Sequence, residues 1–85
     1  MGKNKEQRLY TTLDAYRAGF LKLRGNEPVL LKQEDKVVFA FPVTITLLKH
    51  IDEYENGAMV DAFKYSLTIK SLKTEIYTLR NSHGK

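Results

Sequence analysis

Hydrophobic and polar positions follow two different periods along this chain. The apolar residues of the middle stretch form two short runs, Val29-Leu30-Leu31 and Val37-Val38-Phe39-Ala40-Phe41, separated by Gln33-Glu34-Asp35-Lys36. β-Branched and aromatic residues fit a pleated, half-buried surface, and a polar spacer of this kind suits a turn. The pattern predicts a β-hairpin over about residues 28–41. Side chains alternate along a strand, so Val37, Phe39 and Phe41 share one face and Val38 and Ala40 the other. An isolated hairpin is marginal in water, so the flanking segments must cover its large-residue face.

Those flanks carry helical spacing. Leu13, Tyr16, Phe20 and Leu23 recur at intervals of three and four and predict a first helix beginning near Tyr10. Thr11 with Asp14 three residues on resembles a capping box, and Gly25 suits the position just past the helix end. Ala15, Ala18 and Gly19 are small enough for close approach to the sheet. After Phe41, Pro42 ends the ladder or marks an edge. Thr44 or Thr46 caps a second helix bearing Leu47, Leu48, Ile51 and Tyr54, and Asn56-Gly57 stops it. Asp61 caps a third helix over about residues 62–80, with Ala62, Tyr65, Ile69, Leu72, Ile76 and Leu79 on one face.

A competing pattern exists. Val43, Ile45 and Leu47 alternate, as do Phe63, Tyr65, Leu67 and Ile69, so a mostly β chain with one C-terminal helix is the alternative fold. The helical period running on to Leu79 is too long for a typical strand and favours helix. The expected fold is therefore α+β, a central β-hairpin packed against three helices in the order α-β-β-α-α. Its expected core is Leu13, Tyr16, Phe20, Val37, Phe39, Phe41, Leu47, Ile51, Tyr65, Ile69, Leu72 and Ile76. Residues 1–9 read as a mobile basic N-terminus, residues 10–80 as one globular domain and residues 81–85 as a frayed tail.

Composition narrows the class. With 85 residues the chain buries about 60–65% of its unfolded surface, enough for one core and a surface site but hardly a deep substrate cavity. The absence of cysteine excludes disulfides and thiolate metal sites. No apolar run approaches the ~20 residues of a membrane span. The charged N-terminal stretch lacks a signal-peptide core, and Glu6 stands where a myristoylation signal has Ser or Thr. The expected location is cytoplasmic, with no membrane contact.

Charge is unevenly spread. Residues 1–25 carry six basic and two acidic side chains, residues 26–56 three basic and six acidic, and residues 57–85 five basic and two acidic. The asymmetry reads in three ways: a basic face for nucleic acid, two halves that attract each other, or scatter in a small chain.

The run Tyr10-Thr11-Thr12-Leu13-Asp14, followed by Tyr16, Ala18, Phe20-Leu21 and Gly25, resembles a known pattern. So does Tyr54-x-Asn56-Gly57, followed by Val60-Asp61-Ala62, Ile69, Leu72-Lys73 and Ile76-Tyr77. In that order they resemble a small uncharacterised domain family of bacterial and phage proteins, catalogued as a domain of unknown function. The resemblance spans about residues 10–80. It implies the α-β-β-α-α order, and since it rests on caps, glycines and core positions it carries over no catalytic residue.

Candidate chemistry is sparse. His50 lies near Asp52, Glu53 and Glu55, and His83 lies in the tail. A metal or general-base site needs ligands converging on one face, and Asp52 points away from the His50–Glu53 flank of a helix. A solvated acidic surface is the simpler reading. No phosphate loop and no nucleophile–histidine–acid order is present. The expectation is a non-enzymatic protein with no cofactor, no metal and no small-molecule substrate.

The third helix carries the more informative surface. Phe63, Lys70 and Tyr77 are seven residues apart and share a stripe, with Lys73 and Arg80 beside it. Arg17 and Arg24 repeat that spacing on the first helix. Basic residues interleaved with aromatics contact phosphates and stack on bases. The nucleic-acid reading therefore names Arg17, Arg24, Lys70, Lys73, Tyr77 and Arg80. The bland reading makes the aromatics core-edge residues past which the lysines snorkel. The rival reading is a protein-interaction module: an adaptor, a homodimer or a small phage-type inhibitor of a host machine. Leu21, Leu67, Val38, Ala40 and the open sheet edge would serve it. A contiguous basic face favours the first reading, and an exposed apolar patch or sheet edge the second.

Overall fold

A computed structural model describes residues 8–81. The expected mobile segment at residues 1–7, and His83 with the rest of the tail at 82–85, lie outside the described residues. The order of elements is β1 (Leu9–Thr12), α1 (Ala15–Leu23), β2 (Val29–Gln33), β3 (Lys36–Pro42), α2 (Ile45–Glu55) and α3 (Ala62–Arg80). This is an α+β fold, as expected, with one strand more than the hairpin. Helices at Ile45–Glu55 and Ala62–Arg80, over both alternating stretches, remove the mostly β alternative.

The expected α-β-β-α-α order is corrected at its start. Leu9 to Thr12 form a strand on the free edge of β3, pairing Tyr10 with Phe41 and Thr12 with Phe39. Threonine and tyrosine favour a pleated edge, and the unpaired backbone of β3 offers ladder bonds that a helical turn cannot use. Leu9, read from the sequence as part of the mobile N-terminus, is therefore a sheet residue. The sheet order is β1-β3-β2, antiparallel throughout. The β2–β3 turn places Glu34 at φ 58°, a left-handed conformation usually left to glycine, asparagine or aspartate.

Caps set the helix limits. The cap of α1 is Asp14, not Thr11: its Oδ1 accepts from the Tyr16 amide at 2.9 Å, while Thr12 Oγ1 accepts from the Asp14 amide at 3.1 Å. Thr44 caps α2 through the Leu47 amide at 2.9 Å, which decides between the two threonines. Asp61 caps α3 through the Lys64 amide at 2.9 Å. Gly25 and Gly57, at φ 98° and 79°, take the left-handed positions that end α1 and α2.

The helices pack on the Phe39–Phe41 face of the sheet. Ala18, Phe20, Leu21, Leu47 and Leu72 join Phe39 and Phe41 in the buried cluster. Tyr65, Ile51 and Ile76 pack at its margin, and Val37 and Ile69 are also buried. Two expected core residues are not in it: Leu13 and Tyr16 remain 60% and 52% exposed. With β1 ending at Thr12 and the helix starting only at Ala15, Leu13 falls in the connection between them, and Tyr16 sits in the first turn of α1, half exposed. Gly19 approaches α3, at Ile69 and Tyr65, instead of the sheet.

On the other sheet face Val38 and Ala40 are buried, flanked by Leu31, Val29 and Thr11 of the neighbouring strands. Leu9 and Val29 on that face stay about half exposed. No helix among the described residues is long and apolar enough to cross a membrane.

Candidate functional site: the groove between α1 and α3

The cap at Asp61 starts α3 beside α1, and the absent side chain at Gly19 lets the two helices close on each other. Along the outer flank of this contact runs an open groove of about 720 Å³. Its less exposed lining is Val60, Tyr65 and Ile69. Its exposed lining includes Tyr16 from α1 and Lys70, Lys73 and Tyr77 from α3. Ala62 and Tyr77 mark its span along α3, fifteen residues apart, or about 22 Å at the helical rise.

Three of the six residues in the nucleic-acid reading meet here: Lys70, Lys73 and Tyr77. Lys73 Nζ lies 5.1 Å from the centre of the Tyr16 ring, a cation–π contact that holds the ring and ammonium together at the groove wall. Tyr77 is 71% exposed and offers a face for stacking. Tyr65 anchors the opposite side, its hydroxyl donating to the Tyr16 carbonyl oxygen at 2.8 Å. Burial pushes the Tyr65 hydroxyl up to about 12, with Tyr54 adding to the shift.

The other three residues are elsewhere. Arg17 Nη1 bonds Glu55 Oε2 at 2.9 Å, and its guanidinium lies 5.0 Å from the Tyr54 ring centre. The Glu55 hydrogen bond holds Arg17 above its ordinary pKa, against the desolvation that lowers it. Arg24 Nε lies 3.4 Å from Glu53 Oε1, its Nη2 donates to the Met59 carbonyl at 3.3 Å, and its guanidinium covers the Phe20 ring at 4.6 Å. These arginines join α1 to α2 and the segment after it. Arg80 lines a separate hollow with Glu34 and Asp35, which Tyr77 also borders.

The acidic flank of α2 is structural as well. Glu53 and Glu55 hold the arginines, and Asp52 accepts from the Asn56 side-chain amide through its carbonyl at 2.7 Å and its Oδ1 at 3.2 Å. His50 Nδ1 lies 2.9 Å from Asn26 Nδ2, which also donates to the Leu21 carbonyl at 2.9 Å. Asp52 and Glu55 are exposed, as on the solvated surface read from the sequence, while also bonding to other parts of the fold.

Sequence reasoning missed Tyr16 as a site residue, because it was placed in the core. It also missed Val60, Ser66 and Thr74 of the lining. Ser66 and Thr74 lie on the Lys70–Tyr77 flank of a helical projection, so that signal was present. The contribution of α1 depends on tertiary contact and was not.

The fold and groove define a small α+β domain with a surface site. The sequence matches the family described as Domain of unknown function (DUF5659) over residues 7–78, and the chain belongs to that family. No curated protein matches the chain, and no solved structure does.

Proposed function

We propose that this domain is a non-enzymatic binding module that holds a protein partner in the groove between α1 and α3. The observation that carries the reading is the make-up of that groove. It runs for about 22 Å beside a helix, its less exposed lining is apolar and aromatic, and its charged residues are Lys70 and Lys73. A long apolar channel with few charges matches protein recognition better than phosphate recognition, which relies on many cations. The diversion of Arg17 and Arg24 to Glu55 and Glu53 breaks up the basic face that a nucleic-acid surface needs. Exposed Phe63, on the stripe of Lys70 and Tyr77, and exposed Leu67 beside it widen the apolar surface next to the groove.

Affinity capture with the 85-residue chain tests this reading, run with and without nuclease and alongside a Tyr16→Ser/Tyr77→Ser variant. The expected result is a protein retained after nuclease treatment and lost with the variant. Retention by both baits alike would remove the groove from the interaction.

A nucleic-acid reading has one specific support: Lys70, Lys73 and Tyr77 line the same groove, with Tyr16 beside them. Contacts of that kind would be mostly to phosphates, with little sequence preference. Titration of labelled single- and double-stranded DNA and RNA at several salt concentrations separates the two. If nucleic acid is the ligand, neutralising Lys70 and Lys73 lowers the log–log salt slope by about two. Absence of binding at low salt ends that reading.

A further inference from the structure

Resting on the protein-binding reading above, we infer that the partner segment seated in the α1/α3 groove is an acidic amphipathic helix. Length comes first. The groove follows α3 from Ala62 to Tyr77, and a helix lying alongside it would present about fifteen residues over the same distance. Such a segment places apolar side chains at i, i+3 or i+4, and i+7 against Val60, Tyr65 and Ile69.

Charge then selects the partner. Lys70 and Lys73 lie one turn apart on α3, and the groove lining among the described residues carries no carboxylate. Of the acids near the groove, Glu53 and Glu55 are paired with Arg24 and Arg17, and Asp14, two residues before Tyr16, accepts from the Tyr16 amide as the cap of α1. Asp61 is committed to the Lys64 amide at the start of α3. The lysines therefore meet an incoming segment without a competing carboxylate from the lining. Glutamates or aspartates flanking an apolar stripe would pair with them at the edge of the contact.

The same charges argue against a second copy of this chain. A symmetric contact through α3 would bring Lys70 and Lys73 of one copy against those of the other as the groove is desolvated. Docking the acidic flank of α2 from another copy would require Glu53 or Glu55 to leave an arginine partner. A single nucleic-acid strand would find two cations among the described residues of the groove, with an apolar lining beneath its sugars.

The test uses the full ¹⁵N-labelled chain and side-chain-stapled helical peptides of about sixteen residues. The peptides share one Leu/Phe stripe and differ only in flanking Glu, Gln or Lys. A short oligodeoxythymidine serves as the nucleic-acid probe. The Glu peptide is expected to shift the amide signals of Tyr16, Ile69, Lys70, Lys73 and Tyr77, and to bind about tenfold more tightly than the Lys peptide. A Lys70→Glu/Lys73→Glu variant, with its remaining amide spectrum unchanged, is expected to reverse that order. Equal binding of Glu and Lys peptides at the groove overturns the acidic partner while leaving the groove a protein site. If no peptide perturbs the groove, both readings fall. If the oligonucleotide alone perturbs it, the site passes to nucleic acid.

Discussion

Ile69 of α3 fills the space that a side chain at position 19 of α1 would need. Its Cδ1 occupies the place of the missing Cβ, and its Cγ1 lies 3.3 Å from that position. Two effects oppose each other in Gly19→Ala. Alanine favours the helical state by about 0.5–1 kcal/mol, while overpacking a contact typically costs about 1–3 kcal/mol. The methyl terminus of Ile69 can rotate, but Ile69 is buried, so the steric effect is expected to win by about 1 kcal/mol. Ile69→Val removes the clashing carbon and costs about 0.5–1.5 kcal/mol by itself. In that background Gly19→Ala should be neutral or stabilising. Urea unfolding of the four proteins measures the coupling; additive effects would show that this contact does not set the α1–α3 distance.

Phe39 shows what was legible in the sequence. Its alternation with Val37 and Phe41 assigned it to the face that the helices cover, and it is fully buried there. The Asp61 cap and the helical period to Leu79 likewise gave α3 its start and length. β1 was not legible because Tyr10-Thr11-Thr12-Leu13-Asp14 contains both strand-favouring side chains and a cap-like Thr-x-x-Asp. The choice between them is made by the free edge of β3, some thirty residues away. That choice took Leu13 out of the helix and left Tyr16 in its first turn, half exposed, on the wall of the groove. The arginine assignments failed for a related reason. Their spacing of seven put them on one stripe of α1 without saying which element the stripe meets. The opposite charges of residues 1–25 and 26–56 already contained the answer as attraction between two segments, realised in Arg17–Glu55 and Arg24–Glu53.

Truncating Phe39 should be severe. It belongs to the buried cluster with Phe41, Phe20 and Leu72, and its strand is central in the sheet. Phe39→Ala is expected to cost about 3–5 kcal/mol, against a total stability of roughly 4–13 kcal/mol for a domain of this size. Denaturant unfolding followed by far-UV circular dichroism checks it. A loss under about 1 kcal/mol would contradict the assigned core.

Tyr65 predicts a loss of stability in alkali. Its folded-state pKa, about 12, is raised from an ordinary value of 10, mainly by burial. The neutral hydroxyl is therefore preferred in the folded state. The associated stabilisation is complete below pH 10 and is lost as the pH rises from there towards 12. The phenolate also cannot donate to the Tyr16 carbonyl. Tyr65→Phe should cost about 1 kcal/mol at neutral pH through that hydrogen bond, yet flatten the fall between pH 10 and 12. Thermal midpoints of the two proteins across this range make the comparison. An identical alkaline slope would assign the loss to other groups.

Arg17 and Arg24 should matter for stability and not for recognition. Each pairs with a glutamate of α2 and covers an aromatic ring, so each carries an ion-pair and a cation–π contribution. Exposed ion pairs contribute about 0–1 kcal/mol and exposed cation–π contacts about 0.5–1 kcal/mol. The double variant Arg17→Gln/Arg24→Gln is therefore expected to lose about 1–4 kcal/mol, with part of the loss removed by high salt. Lys70→Gln/Lys73→Gln should do the opposite: both lysines are exposed on the groove, so stability should fall by no more than about 0.5–1 kcal/mol, the contribution of the Lys73–Tyr16 cation–π contact, while ligand binding weakens. Unfolding curves paired with titration of the groove-directed acidic peptide read both properties for each variant. If the arginine variant kept its stability but lost the peptide, the arginines would belong to the interface and their pairs with Glu55 and Glu53 would have to open on binding.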